Sequence, residues 1–238
     1  MRSSRTNADI EHAVPPDAPA AIRAMPRRAF LGGLAAATVA ATAAPERLIA
    51  ATPATQGDAD AWLKKITGEH RQFFDATAVE GGVALIYAMA WLNTMGATYK
   101  LTDQKLTAVV GMRHLAIPMA FTDAIWAKYK LGEVVGVNDP ATNQPATRNI
   151  FFHPKSGDMM FAEASVDTLL PRGVIITVCS LATQVLSGMR AEVAGVSKEA
   201  ALAEWKAGVI PGANFVPSGV LAVNRAQSVA HCTYCAAM

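Results

Sequence analysis

From residue 70 onward the apolar positions switch repeatedly between two periods. His70 to Asp75 (HRQFFD) predicts a first strand, and Gly81-Gly82 then opens an apolar helical pattern through Ala90, Trp91 and Leu92 towards Met95. Lys105 to Met112 (KLTAVVGM) packs Leu, Val and Val into a short run, the pattern of a buried strand. A helix is predicted from Pro118 to Leu131, with proline in its first turn. Between about Gly132 and Gly157 the chain turns to Asn, Pro, Thr and Gly, which marks a long loop or insertion. Gly173 to Val178 (GVIITV) is the clearest strand, and it ends at Cys179.

Helical patterns resume at Ser180 to Arg190 and at Ser197 to Ala207, where Ser197 is a good N-cap. A short strand at Asn214 to Val216, a turn at Pro217-Ser218-Gly219, a helix from Val220 to Val229 and a last strand at His231 to Tyr234 follow. Strands alternating with helices in this order predict an α/β domain with a mostly parallel sheet flanked by helices. There is no internal repeat.

The first 44 residues have a different character. Pro26-Arg27-Arg28-Ala29-Phe30-Leu31-Gly32-Gly33 precedes an uncharged, Ala-rich run from Leu34 to Ala44. The paired Arg27 and Arg28, with Phe30 and Leu31 behind them, predict a twin-arginine signal read by the export machinery for folded proteins. A membrane anchor fits less well, because a bilayer needs about 20 strongly apolar residues. Ala41-Thr42-Ala43 offers one cleavage site, and cleavage as late as residue 54 is compatible with Ala50 to Ala54. The expected organisation is a signal over 1–44, a linker and lead-in over 45–69, and one α/β domain over 70–238. The expected location is the periplasm, or another compartment reached by twin-arginine export.

Removing the leader changes the charge balance. The chain has 21 Lys and Arg against 19 Asp and Glu, a formal charge of +2, and the leader holds Arg2, Arg5, Arg23, Arg27 and Arg28 against Asp9, Glu11 and Asp17. The rest is therefore neutral. Without a basic stripe it has no electrostatic footprint for nucleic acid or an anionic membrane. The longest later apolar run, Val83 to Leu92, is too short for a stable membrane span.

Cys179, Cys232 and Cys235 are the only cysteines, an odd count that excludes a disulfide scaffold. Cys179 stands at the carboxyl end of a strand in a parallel sheet, the edge where ligands bind. It also stands where the helix from Ser180 begins, and free amide groups at a helix start favour a thiolate, the nucleophilic form. Arg172, Arg113 and His114 add positive charge if their loops converge there. The competing reading is a small buried hydrophobe at a strand end.

His231-Cys232-Thr233-Tyr234-Cys235 contains a C-x-x-C spacing, which invites a dithiol or metal reading. If the segment is a strand, alternation places Cys232 and Tyr234 on one face and Cys235 on the other, so a functional pair requires a turn. Cys232 approaching Cys179 as a resolving thiol is a second option. Haem attachment is disfavoured because Ala236 follows Cys235. No Ser-His-Asp order, phosphate-binding glycine fingerprint or dense ligand cluster calls for a cofactor or a metal. The Met and Trp residues at helical spacing fill core or subunit contacts.

Arg172-Gly173-Val174, Val178-Cys179, Val216-Pro217-Ser218-Gly219-Val220, Arg225, Gln227 and Tyr234 resemble the closing half of the DsrE/DsrF-like sulfur-relay family. Asn93 and His114 sit where that family has similar residues, and the resemblance spans roughly His70 to Tyr234. It implies a compact three-layer α/β fold, a homo-oligomer and sulfur carried as a persulfide on Cys179, received from or passed to a partner protein. Departures are an insertion near 132–163 and Ala230-His231 where a glycine is common. The two function classes are thus a sulfur carrier or sulfurtransferase acting through Cys179, and a non-enzymatic module binding a small ligand or metal in the same crevice.

Overall fold

The computed structural model describes residues 59–237. The expected twin-arginine motif and both expected cleavage sites lie outside the described residues.

The sheet strands are β1 (His70–Ala76), β2 (Leu106–Met112), β5 (Ile175–Cys179), β6 (Asn214–Val216) and β7 (Thr233–Ala237), and β3 (Asn138–Asp139) with β4 (Gln144–Pro145) forms a separate two-residue hairpin. The helices are α1 (Val83–Tyr99), α2 (Asp123–Tyr129), α3 (Leu131–Val135), α4 (Val166–Leu169), α5 (Ser180–Arg190), α6 (Lys198–Ala207) and α7 (Gly219–Ser228). The five-stranded sheet has the order β6-β5-β2-β1-β7, and every neighbouring pair is parallel.

That order dictates the layers. From β1 to β2, β5 and β6 the chain steps in one direction, so right-handed crossovers put α1 to α6 on one face. The step from β6 to β7 runs back across the whole sheet, which puts α7 on the other. The buried clusters agree: Ala84, Leu85 and Leu92 of α1, Trp126 of α2 and Trp205 of α6 share one core, while Ala222 and Ala226 of α7 pack with Phe73, Val109 and Ile175 in the second. The result is a three-layer α/β fold. Alternation along β1 sends Phe73 to the α7 face and Phe74 to the other. Gly111 belongs to this packing, since a methyl group there would lie 2.2 Å from the Phe73 ring.

Several expected boundaries shift for identifiable reasons. The single helix from Pro118 to Leu131 does not form. Instead His114–Ala120 is a 3-10 segment with Pro118 inside it, Phe121 makes an antiparallel bridge to Val209, and α2 starts after Thr122. Lys130 then takes a left-handed φ of 50° that separates α2 from α3. The last strand begins at Thr233 rather than His231, because His231 has a φ of 54° and the Cys232 amide is tied to the Ala226 carbonyl.

The lead-in is partly built into the domain. Trp62 and Ile66 are buried in the α7-side core, and Asp60 pairs with Arg225. The segment after Gly132 is anchored by side chains. Arg148 donates to Asp139 at 2.9 Å and to both oxygens of Asp158 at 2.6 Å, while the buried Asn149 amide donates to the carbonyls of Met119 and Phe121. Among the described residues no helix is long and apolar enough to cross a membrane.

Candidate functional site

Two adjacent strands, β5 and β6, feed helices on opposite faces of the sheet. Their carboxyl ends therefore flank the topological switch point, the position at which open α/β sheets form a ligand crevice. Cys179 ends β5, pairs with Val216 of β6, and is followed directly by α5. Across the crevice Pro217 and Ser218 lead into α7, and the Leu181 amide donates to the Pro217 carbonyl at 3.3 Å.

Cys179 itself caps α5. Its Sγ accepts the Ala182 amide at 3.3 Å, and the Thr183 hydroxyl donates to its carbonyl at 2.9 Å. The sulfur thus takes the role that a Ser or Asp oxygen usually plays at an N-cap, and negative charge developing on it meets an aimed donor and the positive end of an 11-residue helix. The residue is 5% exposed.

Arg113 follows β2 at the same edge. Its Nε and Nη2 donate to the two carboxylate oxygens of Asp75 at 2.9 and 3.0 Å, and the Tyr234 hydroxyl donates to Asp75 Oδ2 at 2.9 Å. Asp75 is buried near the end of β1, on the α7 face with Phe73. Bonding to Asp75 raises the pKa of the Arg113 guanidinium, with Tyr234 and Cys179 adding electrostatic support. Burial, followed by the bond to Asp75, pushes the Tyr234 phenol up. The Arg113 stem lies across the first residue of α7, so that a methyl group on Gly219 would sit 2.5 Å from its Cβ.

The other candidates are dispersed. His114 follows Arg113 at the rim with a φ of 51° and an exposed side chain. Arg172 is not a crevice residue: it precedes β5 at the opposite edge and holds Asp103 through Nε and Nη2 at 2.9 and 3.1 Å. Cys232 is not placed to resolve Cys179. The register sets it level with Arg71, Thr107 and hence Gly173, six residues before Cys179, which is roughly 20 Å along the strand direction. Cys232 is buried in the α7-side core, and burial pushes its thiol pKa up. Cys235 packs on the other face, within a strand rather than a turn, so the C-x-x-C pair stays apart; all three thiols are free.

Asp75 and Gly219 are the parts of this constellation that sequence patterning alone does not single out. The available signal was an acid in an otherwise apolar stretch, Phe73-Phe74-Asp75-Ala76. Among the described residues no group of three or more His, Cys, Asp or Glu is arranged to hold a metal ion. A cleft of about 300 Å³ lies elsewhere, between the start of α2 and Arg148, His153 and Lys155, and shares no residue with the Cys179 crevice.

Fold and site together define a three-layer α/β protein with a helix-capping thiol at its switch point. No protein-family model, curated protein or solved structure matches the chain.

Proposed function

We propose that the chain is an exported, DsrE-like sulfur carrier or sulfurtransferase that holds sulfane sulfur as a persulfide on Cys179. The observation that carries this reading is the Ala182 amide aimed at Cys179 Sγ at the switch point. The thiolate attacks the sulfane atom of a donor and a new S–S bond forms. The donor's own S–S bond breaks, and its leaving group departs with the electron pair. Attack by an acceptor thiolate on the outer sulfur of the persulfide passes that sulfur on and restores the Cys179 thiolate.

Export to the periplasm rests on Arg27-Arg28 with Phe30 and Leu31. Assembly with further copies rests on α1, which carries no charged residue over 17 positions and leaves Tyr87 42% exposed. Donor and acceptor proteins are the partners this chemistry requires.

A second reading, a module that binds a small ligand in the crevice without covalent change, is favoured by the near-complete burial of Cys179. One experiment separates the two. Mature protein is treated with inorganic polysulfide and its intact mass compared with that of Cys179→Ser under non-reducing conditions. Gain of reducible sulfur in the wild type alone supports the carrier; no gain in either supports the binding module.

A further inference from the structure

Arg113 is fixed at both ends of its side chain and has one donor edge left over. Nε and Nη2 are used by Asp75, whose side chain is 4% exposed and which also takes the Tyr234 hydroxyl. The stem is confined by the backbone of Gly219, where a methyl group would lie 2.5 Å from Cβ and 2.9 Å from Cδ. Nη1 makes no hydrogen bond among the described residues, and the side chain is 32% exposed. A guanidinium so confined has already lost its rotamer freedom, so a ligand meeting the free edge does not bear that cost.

The position of this edge gives it a use. Gly111 pairs with Thr177 and Met112 with Val178, so Arg113 stands level with Cys179 on the neighbouring strand. Adjacent strands are about 4.8 Å apart. Cys179 packs on the α1–α6 side and Arg113 on the α7 side, yet Cys179 lends electrostatic support to the guanidinium, so the two groups lie within range of one small molecule.

We propose that Arg113 Nη1 binds an oxyanion on the sulfur donor, so that the site takes small sulfane compounds with an oxyanion leaving group, of which thiosulfate is the simplest. This rests on the reading of Cys179 as sulfur acceptor. The Cys179 thiolate attacks the outer sulfur of thiosulfate and forms the persulfide bond. The S–S bond of thiosulfate breaks, and sulfite leaves with the electron pair. Charge grows on the sulfite oxygens as the bond breaks, and a fixed N–H donor there stabilises it with little reorganisation. The bidentate bond to Asp75 keeps the guanidinium in place throughout.

The test uses sodium thiosulfate and the neutral donor dimethyl trisulfide, whose attacked S–S bond breaks to leave a methyl-capped trisulfide on Cys179 as methanethiolate departs, on folded wild type, Arg113→Lys and Cys179→Ser. Arg113→Lys keeps a cation beside Asp75 but removes the free donor edge. The expected result is a loss of about tenfold or more in sulfur transfer from thiosulfate, the scale of a charge-assisted hydrogen bond, with the trisulfide rate within about twofold of wild type. Equal loss with both donors, or no loss with either, overturns the assignment. Thiosulfate binding to Cys179→Ser, followed by NMR, separates this proposal from the one beneath it. Binding abolished by a further Arg113→Lys change supports the oxyanion site even if no sulfur is ever transferred. Sulfur gained from the trisulfide without any thiosulfate binding overturns the oxyanion site and leaves the acceptor role standing.

Discussion

Arg113 and Cys179 stand level on neighbouring strands, one residue beyond the paired Met112 and Val178, at the edge where the sheet opens. Each is held by its own partners on its own face of the sheet, Arg113 by Asp75 and Cys179 by the Ala182 amide.

Gly219→Ala isolates the contact that fixes Arg113. Gly219 is not among the residues with positive φ, so alanine fits the backbone and by helix propensity alone would stabilise α7 by up to about 1 kcal/mol. The added methyl group would instead meet Arg113 Cβ at 2.5 Å. Urea unfolding is expected to show a net loss of about 1 to 2 kcal/mol from overpacking. A gain in stability would show that Arg113 does not rest on that backbone.

Arg148→Ala should unpin the segment between α3 and α4. It leaves Asp158, whose side chain is 2% exposed, without its bidentate partner, at a cost of about 3 kcal/mol. The bond to Arg148 also lowers the Asp158 pKa below its ordinary 3.8. Stability from this pair is therefore present above pH 3.8 and lost as pH falls through the lower folded value. Acid titration followed by fluorescence should show a shallower loss below about pH 4 in Arg148→Ala than in wild type.

The alkaline side is set by groups that keep their protons in the fold. Burial, then the bond to Glu204, raises the Tyr129 pKa above its usual 10.0. Burial also raises Tyr234, and it raises Cys232 above 9.0. Stability linked to these groups is complete below the unfolded values and is lost as pH rises towards the folded ones. Unfolding free energy should fall as pH rises past 9. Tyr129→Phe should flatten part of that slope and cost about 1 kcal/mol at neutral pH for the hydrogen bond to Glu204. An unchanged slope would remove Tyr129 from the account.

The three thiols should not cross-link within a chain. Cys232 lies roughly 20 Å from Cys179 along the strands, and Cys235 points to the opposite face from Cys232. Mild oxidation of monomeric protein, followed by non-reducing peptide mapping, should yield no intramolecular disulfide. A Cys179–Cys232 bridge would contradict the register.

Much of the fold was legible because local signals and tertiary structure agree. Ser180 to Arg190 and Asn214 to Val216 coincide with α5 and β6, and Ser197 caps α6 through the Ala200 amide. The interrupted helix at Pro118 shows where they compete. The Pro118 carbonyl accepts the indole N–H of the buried Trp126, and Phe121 bridges to Val209, 88 residues away; neither is visible in a local window. Cys179 was legible because strand end, helix start and thiol are adjacent in the chain. Asp75 was not, since its partners Arg113 and Tyr234 are 38 and 159 residues distant and meet it only through the parallel register. Arg172 and Arg113 look alike in sequence, but they stand at opposite edges of the sheet because one precedes its strand and the other follows.

The central claim is that sulfur is carried on Cys179 and on no other thiol. Treatment of the full mature chain with limiting polysulfide, trapping with an alkylating reagent and peptide-level mass mapping tests it directly. The account predicts one added sulfur on the peptide containing Cys179 and none on those containing Cys232 or Cys235. Sulfur on Cys235 with Cys179 unmodified would contradict it.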